Sequence, residues 1–357
     1  MRMHLRLWVI ASVLAGHIWI AAAAEYRVCV SNERSGTVSI ISGGDGRVLK
    51  EIAVGKRPRG IHASSNGSVL YVAVSGSPIS GPPKLDANGN PIPEKDEDDE
   101  SADHSADGIA VINLEKMEFE RKLPAGSDPE EFAVMPNNVD LLISNEDVGT
   151  ASILNTINGK VEAIIPVKRE PEGVALSPNR KQVYVTCEAG GEVFVIDLGT
   201  HKITGSFVVG GRPRTVAFSP KGDRAYVPSE SNGQLHLIDA EHFVVLKTLR
   251  LPAGYRPMGT AMDEKGEKFY VSTGRAGCVA VIDALELKLL NSIKVGTRPW
   301  GIALSPDGER LFVANGPSDD ISVIDTKTEK EIARWKAGAG PWGLCVAPGT
   351  GKRLSAR

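Results

Sequence analysis

A proline returns seven times along the chain, at positions 58, 129, 171, 213, 257, 299 and 341, with spacings of 71, 42, 42, 44, 42 and 42 residues. A fixed period of this length marks one supersecondary unit copied and stacked, each copy burying its apolar faces against the next. A unit of about 42 residues holds four short strands and their turns, which is one blade of a propeller. Seven copies predict an all-β chain: a seven-bladed β-propeller of four-stranded antiparallel blades.

The sixth unit shows the plan. Arg298-Pro299-Trp300-Gly301 leads into a first strand from Ile302 to Ser305, and Pro306-Asp307-Gly308-Glu309 has the composition of a hairpin turn. Arg310 to Ala314, Ile321 to Asp325 and Glu331 to Trp335 supply the other strands. Apolar residues occupy both parities of the inner strands, as sheets covered on both faces require. The chain is 41% hydrophobic but only 5% aromatic, so the core must be built from small and β-branched side chains.

The two ends are out of phase with the repeat. A lone first strand, Gly343 to Ala347, comes last, whereas the start offers second, third and fourth strands at Arg27 to Ser31, Thr37 to Ile41 and Glu51 to Val54. Together they complete the seventh blade and lock the ring. Superposing that blade on the sixth sets Cys345 opposite Cys29, where Cα atoms are ~4.5–5.5 Å apart and a disulfide can form. Two buried thiols are the alternative reading. Cys187 and Cys278 fall in different blades at unmatched positions.

Residues 1–24 begin with two arginines, continue through an apolar run from Leu7 to Ile20 and end in four alanines, the composition of a cleaved secretory signal. An uncleaved anchor is the rival, with a run short for a bilayer. The expectation is a periplasmic or secreted protein, 25–357 forming one propeller domain without stable membrane insertion. The long first interval places an insertion at 76–107, rich in glycine and proline and carrying the run Glu94-Lys95-Asp96-Glu97-Asp98-Asp99-Glu100. Its composition predicts a mobile, solvated loop on the face that carries the repeat prolines. A net charge of −3 supplies no basic field for nucleic acid.

Second strands such as Tyr184-Val185-Thr186-Cys187, Tyr270-Val271-Ser272-Thr273 and Phe312-Val313-Ala314-Asn315 resemble the YVTN family of β-propeller repeats. Around the prolines, Pro58-Arg59-Gly60, Asp128-Pro129-Glu130-Glu131-Phe132, Glu170-Pro171-Glu172-Gly173, Arg212-Pro213-Arg214 and Pro341-Trp342-Gly343 are similar to the propeller proteins associated with catabolism dependent on pyrroloquinoline quinone (PQQ). That resemblance implies a periplasmic accessory to alcohol oxidation, with a quinoprotein dehydrogenase or a transporter component as partner, and no catalytic residue. The chain departs from it in the acidic insertion and at Val139 to Leu142, where the hairpin turn is degraded.

The residues flanking the prolines set the candidate site. Before them stand Arg57, Asp128, Glu170, Arg212, Arg256, Arg298 and Gly340; after them Arg59, Glu130, Glu172, Arg214, Met258, Trp300 and Trp342. Ring geometry gathers both sets around one mouth, with an acidic arc and a basic, tryptophan-bearing arc. The arginines could clamp a planar carboxylated ligand such as PQQ while the tryptophans stack on it. Alternatively, the charges pair with one another between blades. His62, four residues after Pro58, could face the channel, although a packing role is the plainer reading. No metal-ligand spacing, haem-attachment motif, phosphate-binding loop or nucleophile elbow occurs. The leading expectation is a non-catalytic accessory that binds a small anionic ligand or a protein at the proline-loop face. One alternative is a channel-centred lactonase or lyase-like enzyme using His62, Glu130 and Glu172; another is a DNA-binding propeller.

Overall fold

The computed structural model describes residues 26–79 and 101–349. They form seven four-stranded sheets, every strand pair antiparallel. The first blade comprises Ile61–Ala63, Val69–Val74, Gly108–Asn113 and Glu118–Leu123, and five more follow in sequence order. The seventh is assembled from both ends, in the order Pro341–Pro348, Tyr26–Asn32, Thr37–Ser42 and Val48–Ala53. Its outer strand begins before the predicted Glu51. That strand is solvated along most of its length, so it lacks the apolar pattern that marks inner strands.

Blade packing buries side chains on both faces of the inner strands. Tyr184 and Tyr226 are fully enclosed, and each donates its hydroxyl to a loop carbonyl of the next blade: Ala240 at 3.1 Å and Ala284 at 2.9 Å. Each bond satisfies a polar atom inside an apolar interface. A second staple repeats at the hydroxyl position of the second strand. Thr186 Oγ1 accepts the Gly173 N–H of its own blade at 2.8 Å and donates to the Arg214 carbonyl of the next at 3.4 Å. Ser31, Ser144 and Ser272 bond in the same way to the carbonyls of Arg59, Glu172 and Trp300. The second-strand motif therefore fixes the proline loop of the neighbouring blade.

At those loops the residue before the proline is left-handed in six units, with φ of 44° at Arg57, 46° at Asp128, 55° at Glu170, 56° at Arg212, 50° at Arg298 and 71° at Gly340. Five of the six are not glycine, so the surroundings must hold them there. The carbonyls of Asp128, Glu170 and Arg212 accept N–H groups from Glu146, Glu188 and Glu230 at 2.8–3.1 Å. This geometry turns the flanking side chains toward the mouth.

The turn at Val139 is intact, contrary to its sequence. Asn138 takes a φ of 53° where four other turns use glycine and one uses Arg180, and Asn137 Oδ1 receives the N–H groups of Val139 and Asp140, both at 3.0 Å. Most of the acidic insertion and the whole leader lie outside the described residues. The base of the insertion is pinned on the proline-loop face, where Asp107 accepts the Gly76 N–H at 2.7 Å and Lys56 pairs with Asp103 at 2.8 Å. Among the described residues no helix is long and apolar enough to cross a membrane.

Candidate functional site

The innermost strands surround a cavity of about 540 Å³ on the propeller axis. Its wall follows the repeat. The third residue after each proline gives a girdle of Ile61, Phe132, Val174, Val216, Ile302 and Leu344, with Thr260 in the fifth blade. The fourth is alanine in five blades and Cys345 in another, but His62 in the first. The second is glycine in five blades, Thr215 in one, and Glu131 in the second blade.

Those two exceptions meet. His62 Nε2 lies 2.8 Å from Glu131 Oε1, and both side chains line the cavity, 42% and 23% exposed. The same carboxylate oxygen accepts the N–H of Phe132 at 2.8 Å, and the Phe132 ring stands edge-on to the imidazole with centroids 5.1 Å apart. Carboxylate and ring are therefore both oriented. Glycine at position 60 makes room, since a Cβ there would sit 2.6 Å from Glu131 Oε1. Burial disfavours the charged imidazolium, but the charge and hydrogen bond of Glu131 outweigh it, so the His62 pKa rises above its ordinary value of 6.5.

The mouth residues form two ion-pair networks. Arg57 bonds both oxygens of Asp128 at 2.7 and 2.8 Å and reaches Glu130 at 3.2 Å, while Arg59 joins Glu33 at 2.8 Å and Glu130. On the neighbouring arc Arg214 holds Glu172 at 3.0 Å, Glu230 at 2.5 Å and Glu188, which also binds Arg212. Arg256 donates to the Ser231 carbonyl at 2.7 Å. Arg298 lies over the Trp300 ring at 5.0 Å, and Trp300 stacks on Trp342 with centroids 5.4 Å apart. Arg214 and Arg59 cover the outer faces of these indoles at 5.5 and 5.4 Å. Glu170 remains half-buried beside its proline.

Protonation balances the crowding of acids. Glu130 is wholly buried, yet Arg59 and Arg57 overcome its desolvation and pull its pKa to about 2. Burial, reinforced by Glu130, Glu172 and Asp128, pushes Glu146 well above the carboxylate range. Burial also takes Glu172 to about 8, with Glu188 and Glu130 adding to it and Arg214 opposing. Asp128, Glu130 and Glu146 bring ligand oxygens within 4.8 Å of one another, a spacing a cation could use. Here the guanidinium groups of Arg57 and Arg59 offset the negative charge.

Sequence reasoning singled out the mouth residues and His62, but it did not single out Glu131 as a site residue, nor the acids Glu33, Glu146, Glu188 and Glu230 that directly follow the second strands. The acids were detectable: Glu146, Glu188 and Glu230 stand at one fixed offset after Pro129, Pro171 and Pro213. Cys29 and Cys345 are direct cross-strand partners, and both carry thiols in this structure.

A family model for lactonase, 7-bladed beta-propeller, matches residues 173–346, just under half the chain. Among solved structures, a putative 6-phosphogluconolactonase from Bacteroides fragilis superposes with a TM-score of 0.71 at 15% identity, covering 92% of this chain and 99% of that one. A second, from Bacteroides uniformis, gives 0.71 at 15% identity, covering 91% and 100%. Hydrazine synthase of Kuenenia stuttgartiensis gives 0.70 at 18% identity, covering 88% and 99%. This chain is a seven-bladed β-propeller protein. No curated protein matches it. The family match overturns the leading expectation of a non-catalytic accessory to PQQ-dependent alcohol catabolism and favours the lactonase-like alternative. That expectation rested on the order of charges around the mouth, and the structure ties those charges to one another across blade boundaries.

Proposed function

We propose that this propeller opens lactones by hydrolysis in its axial cavity, with His62 as general base and Glu131 as its positioning partner. The observation that carries the reading is the His62–Glu131 pair, which puts an imidazole in the alanine column and a carboxylate in the glycine column of the repeat. The lactonase family match supports the reaction class; it spans 173–346 and so leaves the roles of His62 and Glu131 to geometry. Glu130 and Glu172, the other sequence candidates, are engaged by Arg57, Arg59 and Arg214.

With Nε2–H donating to Glu131, the basic atom of His62 is Nδ1. A water deprotonated there attacks the lactone carbonyl. As the tetrahedral adduct collapses, the ring C–O bond breaks and the imidazolium returns its proton to the departing alkoxide, giving the open hydroxy acid. Lactone and water are consumed in equal amounts and no redox partner is needed. The carboxylate keeps the imidazole in one tautomer and offsets its transient charge, as a third group does for other His-based sites.

Proton NMR of a lactone panel incubated with purified protein tests the reading. The expected result is conversion to hydroxy acid above the spontaneous rate, reduced about 10²–10⁴-fold in His62→Ala, the range a positioned acid or base contributes. Equal rates in the two proteins would remove His62 from the reaction.

A further inference from the structure

We infer that the lactone accepted by this cavity is uncharged and bears an apolar substituent, and that phosphorylated or polyhydroxylated lactones are poor ligands. The inference rests on the lactonase reading and adds the substrate class to it. Two observations carry it: the guanidinium on the wall is already committed, and six of the seven girdle positions are apolar.

The permanent cation on the cavity wall is Arg214, and three acidic side chains hold it: Glu172, Glu188 and Glu230. Glu188 is fully buried and the other two nearly so. A phosphate or carboxylate reaching Arg214 would strand those buried groups, an arrangement far costlier than the pairing it replaces. Arg298, which is not among the residues of the cavity wall, packs against Trp300. An anionic ligand therefore finds no uncommitted guanidinium on the wall.

Below the mouth, the girdle residues Ile61, Phe132, Val174, Val216, Ile302 and Leu344 offer no side-chain hydrogen bond, and Thr260 is the one hydroxyl among the seven girdle positions. Sugar hydroxyls placed there would leave water without replacement partners, whereas an alkyl chain would gain by displacing water. A volume of about 540 Å³ accommodates a small ring with a short chain.

Competition among three lactones tests this: δ-decanolactone, δ-gluconolactone and 6-phosphogluconolactone. We expect kcat/KM for the alkyl lactone to exceed that for either sugar lactone by about tenfold or more, the scale on which pocket contacts discriminate. A sugar lactone opened faster would overturn the substrate class while leaving the lactonase reading intact. Binding is read separately, by quenching of Trp300 and Trp342 fluorescence in the His62→Ala protein. Saturable quenching by δ-decanolactone but not by δ-gluconolactone supports the substrate class even if no lactone is turned over, in which case the lactonase reading alone fails. Absence of binding by δ-decanolactone overturns the inference.

Discussion

At the scale of single residues, the chemistry comes from departures from the repeat. Six blades place alanine or cysteine where the first has His62, and six place glycine or threonine where the second has Glu131. The histidine was visible in the sequence because it stands at a first-strand position. Glu131 was not, because its column is a glycine column and its neighbour Glu130 carries the charge expected at the mouth. The side chain fits only by lying over Gly60 of the adjoining blade, a long-range contact that repeat alignment does not reveal. Glu172 makes a separate prediction. Its folded pKa of about 8 lies above the ordinary 4.5, so its contribution to stability is complete below pH 4.5 and is lost as pH rises through 8. Denaturation midpoints measured from pH 4.5 to 9 should fall less steeply for Glu172→Gln than for the parent protein. Parallel curves would show that Glu172 is ionised in the folded state.

At the scale of elements, the proline loops and second strands form one mechanical unit. In five units the left-handed residue before the proline offers its carbonyl to the residue after a second strand, and in four the second-strand hydroxyl reaches the next blade's loop. Strand order and blade number were legible in the sequence because each is written seven times. The outer strand of the seventh blade was mistimed because solvent, rather than packing, selects its residues. The turn at Asn137-Asn138 was misread because asparagine can adopt the left-handed conformation that four other turns assign to glycine. Thr186→Val keeps the shape of the staple and removes its hydroxyl, leaving the Arg214 carbonyl and the Gly173 N–H short of a partner. Chemical denaturation should show a loss of about 1–2 kcal/mol. An unchanged midpoint would mean that the staple adds nothing to the blade interface.

At the scale of the whole molecule, ring closure joins residue 26 to residue 348 in a single sheet. Cys29 and Cys345 sit opposite each other at this seam, so under oxidising conditions they should form a disulfide across it. Mass spectrometry without reductant should detect the linked peptides, and reduction should lower stability by about 2–5 kcal/mol. Two alkylatable thiols in the oxidised protein would contradict this. The closed ring also gives the site its form, because an axial cavity exists only when seven first strands face one another. His62 and Glu131 come from adjacent blades, so their pairing depends on that closure. The most direct test of the account is the pH dependence of lactone opening in the parent protein and in Glu131→Gln. The account predicts activity rising with pH to a plateau, with a midpoint above 6.5 because Glu131 raises the pKa of His62, and a shift of that midpoint to lower pH in the glutamine variant. Superimposable profiles for the two proteins would contradict it.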